Sequence, residues 1–461
     1  KKKVQARQSH YLPSKSRKNL VNSRRKKVRL SAIKTKWLVS WPDEPDFRHF
    51  VDRLFDPFST ATPRSMASEL GFRPSELSFF SRKSISPINL RFPFTPLRKT
   101  NPEPPMRWAS SRRLVVAAKK PPIDGVPAEL NKIASQKLDS APARRRVRSA
   151  FMELQQQLDH CLFKMAPPGI RTEEWYECNS RGLNIFCKRW FPEPDVHIKG
   201  AVCFCHGYGD TCTFFFDGIA RHIAASGYAV YAMDYPGFGL SEGLHGYIPS
   251  FDQLVDDVIE QYKKFKGIAE LKGLPHFILG QSMGGAVTLK VHLKEPKLWD
   301  GVVLVAPMCK IADNVKPPEP VLKVLTLMSS VVPKAKLLPK VDLGALALRE
   351  TEKRKLAVYN VISYDDRMRV KTAIELLKAT DEIEKQVEKV SSPLLVLHGA
   401  ADKVTDPKIS QFLYEKASSK DKTLKLYEEG FHCILEGEPD ERIFTVLNDI
   451  IHWLNSRCSS T

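Results

Sequence analysis

No two of the nine cysteines form a C-x-x-C pair, and no Cys/His cluster has zinc-ligand spacing. This argues against a structural zinc module and a thioredoxin-like redox pair. The odd count, with several cysteines inside apolar runs, reads as buried free thiols in a reducing compartment. No run of 18 apolar residues exists, so no transmembrane helix is expected. No glycine-rich loop matches a P-loop or a dinucleotide fingerprint, so neither a nucleotide cofactor nor a metal is implied. Acidic residues are scarce in one part only: residues 1–117 hold 26 Lys/Arg against 8 Asp/Glu, whereas the remainder is close to balance. Of the formal charge of +20, all but 2 therefore belongs to the N-terminal segment. It gives no reason to expect nucleic-acid binding by the folded part.

That N-terminal segment divides in two. Residues 1–65 carry Lys1-Lys2-Lys3 and Arg24-Arg25-Lys26-Lys27, and read as a disordered basic extension. Met66-Ala67-Ser68 opens a stretch over 66–117 rich in Ser, Arg and Pro and poor in acids. This is the composition of an organellar transit peptide, and it lacks the single apolar core of a secretory signal. It ends near Val115-Val116-Ala117-Ala118, so a chloroplast address is expected, with the cytoplasm or a membrane surface as the alternative. Residues 118–169 then show helical spacing (Val147, Phe151, Leu154, Leu158) and read as a helical extension packed on the domain.

From residue 170 short apolar runs alternate with amphipathic helical patterns. Strands are predicted at 174–178, 183–190, 201–205, 228–233, 276–279, 301–305, 393–397 and 424–427. Helices are predicted at 216–225, 251–265, 283–293, 408–417 and 442–454. Such alternation implies an α/β fold with a mostly parallel, doubly wound sheet of about eight strands. The pattern breaks over 308–389, where prolines and helical stretches suggest an inserted cap, so the core is expected at 170–307 and 390–461.

Within this frame Gly280-Gln281-Ser282-Met283-Gly284 follows a strand and opens a helix. That is the setting of a nucleophile elbow, where a tight turn lifts the serine hydroxyl clear of the sheet. Such a serine needs a base, a group to orient the base, and oxyanion donors. In this kind of fold the acid and then the histidine follow the serine. Asp402 stands just past the strand at 393–397, and His432 just past the strand at 424–427. We therefore assign Ser282 as nucleophile, His432 as general base and then acid, and Asp402 as its orienter. Asp402 could instead cap the helix from 408, but Asp406, just before Pro407, is the better cap. The loop Cys205-His206-Gly207-Tyr208-Gly209-Asp210 lets backbone amides approach closely, so Tyr208 N–H and Met283 N–H are assigned to the oxyanion hole. His206 reads as structural, and His245, which precedes the serine, as an inferior alternative base.

These segments, with Asp234-Tyr235-Pro236-Gly237-Phe238-Gly239-Leu240-Ser241-Glu242-Gly243, resemble the α/β-hydrolase superfamily over roughly residues 170–455. Within it the chain resembles the plant monoacylglycerol lipase-like branch, also called the lysophospholipase or caffeoylshikimate esterase group. The resemblance implies cofactor-free hydrolysis of a carboxylic ester, a monoacylglycerol or lysolipid first. Esters of the caffeoylshikimate type, or a ligand receptor without turnover, are the alternatives. Val321, Leu322, Val324, Leu325, Leu327, Met328, Val331 and Val332 in the cap are apolar on more than one side. Two readings stay open: a helix with one face on the core, or a hydrophobic lid that touches a membrane surface peripherally.

Overall fold

A computed structural model describes residues 121–312 and 316–458. The basic extension over 1–65 and the leader over 66–117 lie outside the described residues. The first elements are α1 (Ala128–Ala134), α2 (Ala141–Gln156) and α3 (Cys161–Lys164). Val147, Phe151 and Leu162 from these helices are fully buried in one of the two apolar clusters, so the extension is part of the fold's interior.

The strands are β1 (Arg171–Cys178), β2 (Asn184–Phe191), β3 (Gly200–Cys205), β4 (Tyr228–Met233), β5 (His276–Gln281), β6 (Gly301–Val305), β7 (Leu394–Gly399) and β8 (Lys422–Tyr427). They form one sheet in the order β1-β2-β4-β3-β5-β6-β7-β8. The pairs β1/β2 and β2/β4 are antiparallel, and the others are parallel. β3 to β7 are buried along their whole length, as expected for strands covered on both faces. Period-2 alternation then divides each strand between two cores. Ala201, Cys203 and Cys205 face one side with α5 (Phe251–Lys266) and α6 (Met283–Lys294). Val202 and Phe204 face the other with α2, with α4 (Phe215–Ala225) and with the C-terminal helix, whose Ile443, Val446 and Ile450 share that cluster.

Between β6 and β7 the chain forms α7 (Glu319–Val331), α8 (Leu343–Ala347), α9 (Thr351–Ala357) and α10 (Val370–Glu384). This insertion is rooted in the fold, since Leu376, Ala379 and Ile383 of α10 join the core cluster under α5 and α6. α7 buries Leu325 and Ser329, and its exposed face carries Lys323, Thr326 and Ser330 beside Leu327, which is 58% exposed. The last helices are α11 (Pro407–Lys416) and α12 (Asp440–Asn455).

The chain runs from β3 to β4 on one side of the sheet, then crosses to β5 on the other side of β3. The carboxyl ends of β3 and β5 therefore lie side by side, with Cys205 opposite Gly280. In open α/β sheets such a reversal leaves a crevice where ligands bind. The two glycine-rich loops flank it.

Candidate active site

Ser282 has φ 54° and ψ −120°, a backbone conformation that L residues avoid. The turn is held there by its own bonds. Ser282 N–H donates to the Val305 carbonyl (3.0 Å), while Met308 and Gly285 N–H both donate to the Ser282 carbonyl (2.9 Å each). A side chain on either flanking glycine would break it. A Cβ on Gly280 would overlap the Gly284 carbonyl, and one on Gly284 would overlap the Cys205 carbonyl. Ser282 thus occupies the N-cap of α6 without using its hydroxyl as a cap. The oxygen is left at the positive end of the helix.

Asp402 and His432 are brought together. His432 Nδ1 donates to Asp402 Oδ2 at 2.6 Å, with both side chains buried. Because Nδ1–H is committed to the carboxylate, Nε2 is the nitrogen left to take a proton. Asp402 Oδ1 accepts from Val404 N–H (2.6 Å) and Thr405 N–H (3.0 Å). Burial alone would raise the Asp402 pKa. Hydrogen bonds from His398 and His432, the His432 charge and the Val404 amide outweigh it and hold the carboxyl well below the usual range. Asp406, for its part, caps α11 by accepting from Lys408 N–H.

The link from this pair to Ser282 runs through Thr405. Its hydroxyl lies 3.1 Å from His432 Nδ1 and 3.2 Å from the Ala306 carbonyl, one residue beyond the carbonyl that holds Ser282 N–H. Gln281, adjacent to the serine, also donates to Glu436 (2.7 Å), four residues beyond His432. Across the crevice Gly207 packs on the serine, where an added Cβ would sit 3.4 Å from Ser282 Cβ. Among the described residues the amides of Tyr208 and Met283 donate to no carbonyl. They belong to the two loops that flank the elbow, where paired donors could meet a developing oxyanion.

His206 is fully buried and accepts from Tyr235 N–H (3.1 Å), which ties the oxyanion loop to the segment after β4. The His245 ring packs edge-on against Tyr364 from the insertion (5.0 Å), and Tyr364 N–H donates to the Gly209 carbonyl (2.7 Å). The insertion is thus stitched to the oxyanion loop. Among the described residues no three His, Cys, Asp or Glu side chains converge as a metal site requires. Sequence reasoning missed three participants: Thr405, Glu436 and His398, the last within 3.0 Å of Asp402. The pattern offered one signal, the spacing of four residues that puts His398 and Asp402 on the same strand end.

A half-buried acid ends the loop after β3. Asp210 accepts from Thr211 N–H (2.8 Å) and Asn360 Nδ2 (3.1 Å). Burial pushes its pKa up to about 7; the Thr211 amide and Asn360 oppose the shift, while Glu436 and Asp234 reinforce it. A carboxyl whose folded pKa exceeds its unfolded value costs stability as pH rises from about 4 to about 7, because only the unfolded chain ionises freely. Asp210→Asn is therefore expected to raise the melting temperature over wild type more at about pH 8 than at about pH 5. Equal shifts at both pH values, measured by differential scanning fluorimetry, would contradict this assignment.

The sequence model of the Hydrolase_4 family, described as serine aminopeptidase, S33, matches residues 196–440. Caffeoylshikimate esterase from Arabidopsis thaliana is 35% identical over 290 residues, covering 63% of this chain and 87% of that protein. Monoglyceride lipase from Homo sapiens is 32% identical, covering 61% of this chain and 90% of that protein. Among solved structures, a soluble variant of monoglyceride lipase from Saccharomyces cerevisiae, in complex with a substrate analogue, aligns with TM-score 0.56 and 22% identity. The alignment covers 62% of this chain and 96% of that one, a likeness of fold.

Proposed function

We infer that this chain, which belongs to the Hydrolase_4 (serine aminopeptidase, S33) family and has the α/β-hydrolase fold, hydrolyses carboxylic esters of lipids, a monoacylglycerol or lysolipid first. The observation that carries the reading is the 2.6 Å bond between His432 and Asp402 beside the Ser282 elbow. Ser282 Oγ attacks the ester carbonyl as its proton passes to His432 Nε2, and Tyr208 and Met283 N–H receive the oxyanion. The alcohol leaves with the His432 proton. Water then attacks the acyl-serine, giving one proton to His432 and its oxygen to the acid; the acyl–Oγ bond breaks, and His432 returns that proton to Ser282 Oγ. Asp402 stays ionised throughout and holds the imidazolium.

The lipid preference is supported by the insertion, where Leu327, Val341, Leu343 and Val358 are each more than 40% exposed. Exposed apolar side chains on a cap suit contact with a lipid surface. A second reading, an ester of the caffeoylshikimate type, is favoured by the 35% identity to the Arabidopsis enzyme. One experiment tests both. A fluorophosphonate probe is expected to label Ser282 stoichiometrically, and a side-by-side panel to show higher kcat/KM for monoacylglycerol than for caffeoyl shikimate. The reverse ranking selects the second reading, and labelling without turnover of any ester points to a receptor. We further propose a chloroplast address for residues 66–117, on their Ser, Arg and Pro content and scarcity of acids. Retention of a 66–118 fusion in the cytosol would remove it.

A further inference from the structure

Asp402 is gripped by two imidazoles. Its Oδ2 accepts from His432 Nδ1 (2.6 Å), from Thr405 Oγ1 (2.9 Å) and from His398 Nε2 (3.0 Å). The first two donors sit on loops. His398 is the residue before last of β7, fully buried, and its backbone is fixed by pairing with Leu426 of β8. A carboxylate can only accept, so His398 must present Nε2–H to it. The same hydrogen is shared with the Thr405 carbonyl (3.1 Å). Nδ1 then accepts the hydroxyl of Ser410 on α11 at 2.6 Å. One directed chain results: Ser410 donates to His398, and His398 and His432 both donate to Asp402.

We propose that His398 is a positioning residue, which holds the Asp402 carboxylate from the sheet side so that its remaining acceptor capacity points His432 Nε2 at Ser282. The proposal rests on the serine-hydrolase reading above and deepens it. A carboxylate with three donors on one oxygen cannot swing as His432 gains and loses its proton. Positioning groups behind a metal-bound histidine act in a comparable way, and their loss there costs on the order of 10- to 100-fold. His398 also moderates the charge felt by His432. Without its donor the carboxylate is a stronger base and stabilises the His432 imidazolium more. The titratable groups that face Asp402 are His398 from β7, with His432 and Cys433 from the loop before α12; Lys403 turns to the Phe431 ring instead.

The test compares His398→Gln with His398→Asn in the full chain. Gln carries an amide N–H about as far out as Nε2 and can still reach Asp402. Asn can reach only the Ser410 side. We expect His398→Gln to keep kcat within a few-fold of wild type. His398→Asn should lower kcat by on the order of 10- to 100-fold, leave KM within about two-fold, and move the acid limb of kcat/KM to higher pH. A histidine that merely fills space would give no such kcat-against-KM split and no shifted limb. Wild-type kcat with an unshifted acid limb in folded His398→Asn overturns the proposal, as does equal loss in both variants. If His398→Asn does not fold, His398→Leu, which keeps the buried volume and lacks the donor, takes its place under the same criteria. Ser282→Ala runs beside them: turnover that survives in that variant defeats the active-site reading itself, whatever His398 does.

Discussion

Ser282→Ala is expected to lower kcat by on the order of 10⁶, leaving only the background of substrate binding and oxyanion stabilisation, about 10³–10⁴ over water. The size of the loss follows from how the parts act as a unit. His432 can accept a proton only from something placed at its Nε2, and the amides of Tyr208 and Met283 gain a charged partner only after Ser282 Oγ has attacked. The fold should be untouched. Ala shares with Ser the cost of φ 54°, and the bonds that impose it are made by backbone N–H and carbonyl groups of Ser282, Val305 and Met308. Steady-state hydrolysis of a monoacylglycerol, fluorophosphonate labelling and a melting curve on the same preparation check the three statements. A folded variant that turns over within tenfold of wild type would remove Ser282 from the chemistry and return His245, the alternative base, to consideration with another nucleophile.

The parts of the fold legible in the sequence were those with a strong local cause. β4 and β6 carry unbroken apolar runs because both faces are buried, and their ends fell at Tyr228–Met233 and Gly301–Val305 as expected. The elbow was legible because two glycines are demanded by backbone contacts that any side chain would break. Asp402 and His432 stand out in the sequence because ordered strand ends are visible one strand at a time, and the structure joins them by a hydrogen bond. The bonds that tune them were not visible. His398 reads as one more residue of an apolar strand, and only the sheet and α11 together show that its two ring nitrogens meet Asp402 and Ser410. Asp210 and Glu436 are 226 positions apart, and their mutual effect on acidity exists only in the folded chain. The insertion over 308–389 is an expectation from the loss of alternation. That α10 belongs to the main core while α7 presents Leu327 to solvent depends on packing, which periodicity alone does not decide.

Arg144→Met should destabilise the protein by about 3–5 kcal/mol, the range for stripping a buried charged group from its partners. Arg144 lies on α2, outside the 196–440 span matched by the family model, and is fully buried. Among the described residues no carboxylate forms an ion pair with its guanidinium. It donates instead to five carbonyls: Leu138 (2.9 Å), Asp139 (3.3 Å), Gly239 (2.5 Å), Ser241 (2.5 Å) and Gly243 (3.3 Å). Burial lowers its pKa to about 10, with Asp234 opposing, so the group stays charged at neutral pH. Methionine would fill the volume, yet it would leave the carbonyls of the 239–243 turn without these donors in a site closed to water. That turn is also where Leu240 N–H donates to Asp234, whose carboxylate receives the Thr211 hydroxyl and Cys212 N–H beside the oxyanion loop. The helical extension therefore braces the turn after β4, and Arg369 adds a second strap from the insertion through Asp139 (2.7 Å). Arg145→Met is the control. Arg145 donates to the Leu240 carbonyl (3.0 Å) and stacks over the Tyr176 ring (4.0 Å), and it is only half-buried, so its loss should cost about 1 kcal/mol. Urea unfolding of the two variants separates the cases. Similar midpoints would mean that the extension covers the domain without bracing it, whereas a large drop confined to Arg144→Met makes residues 128–164 part of the working enzyme.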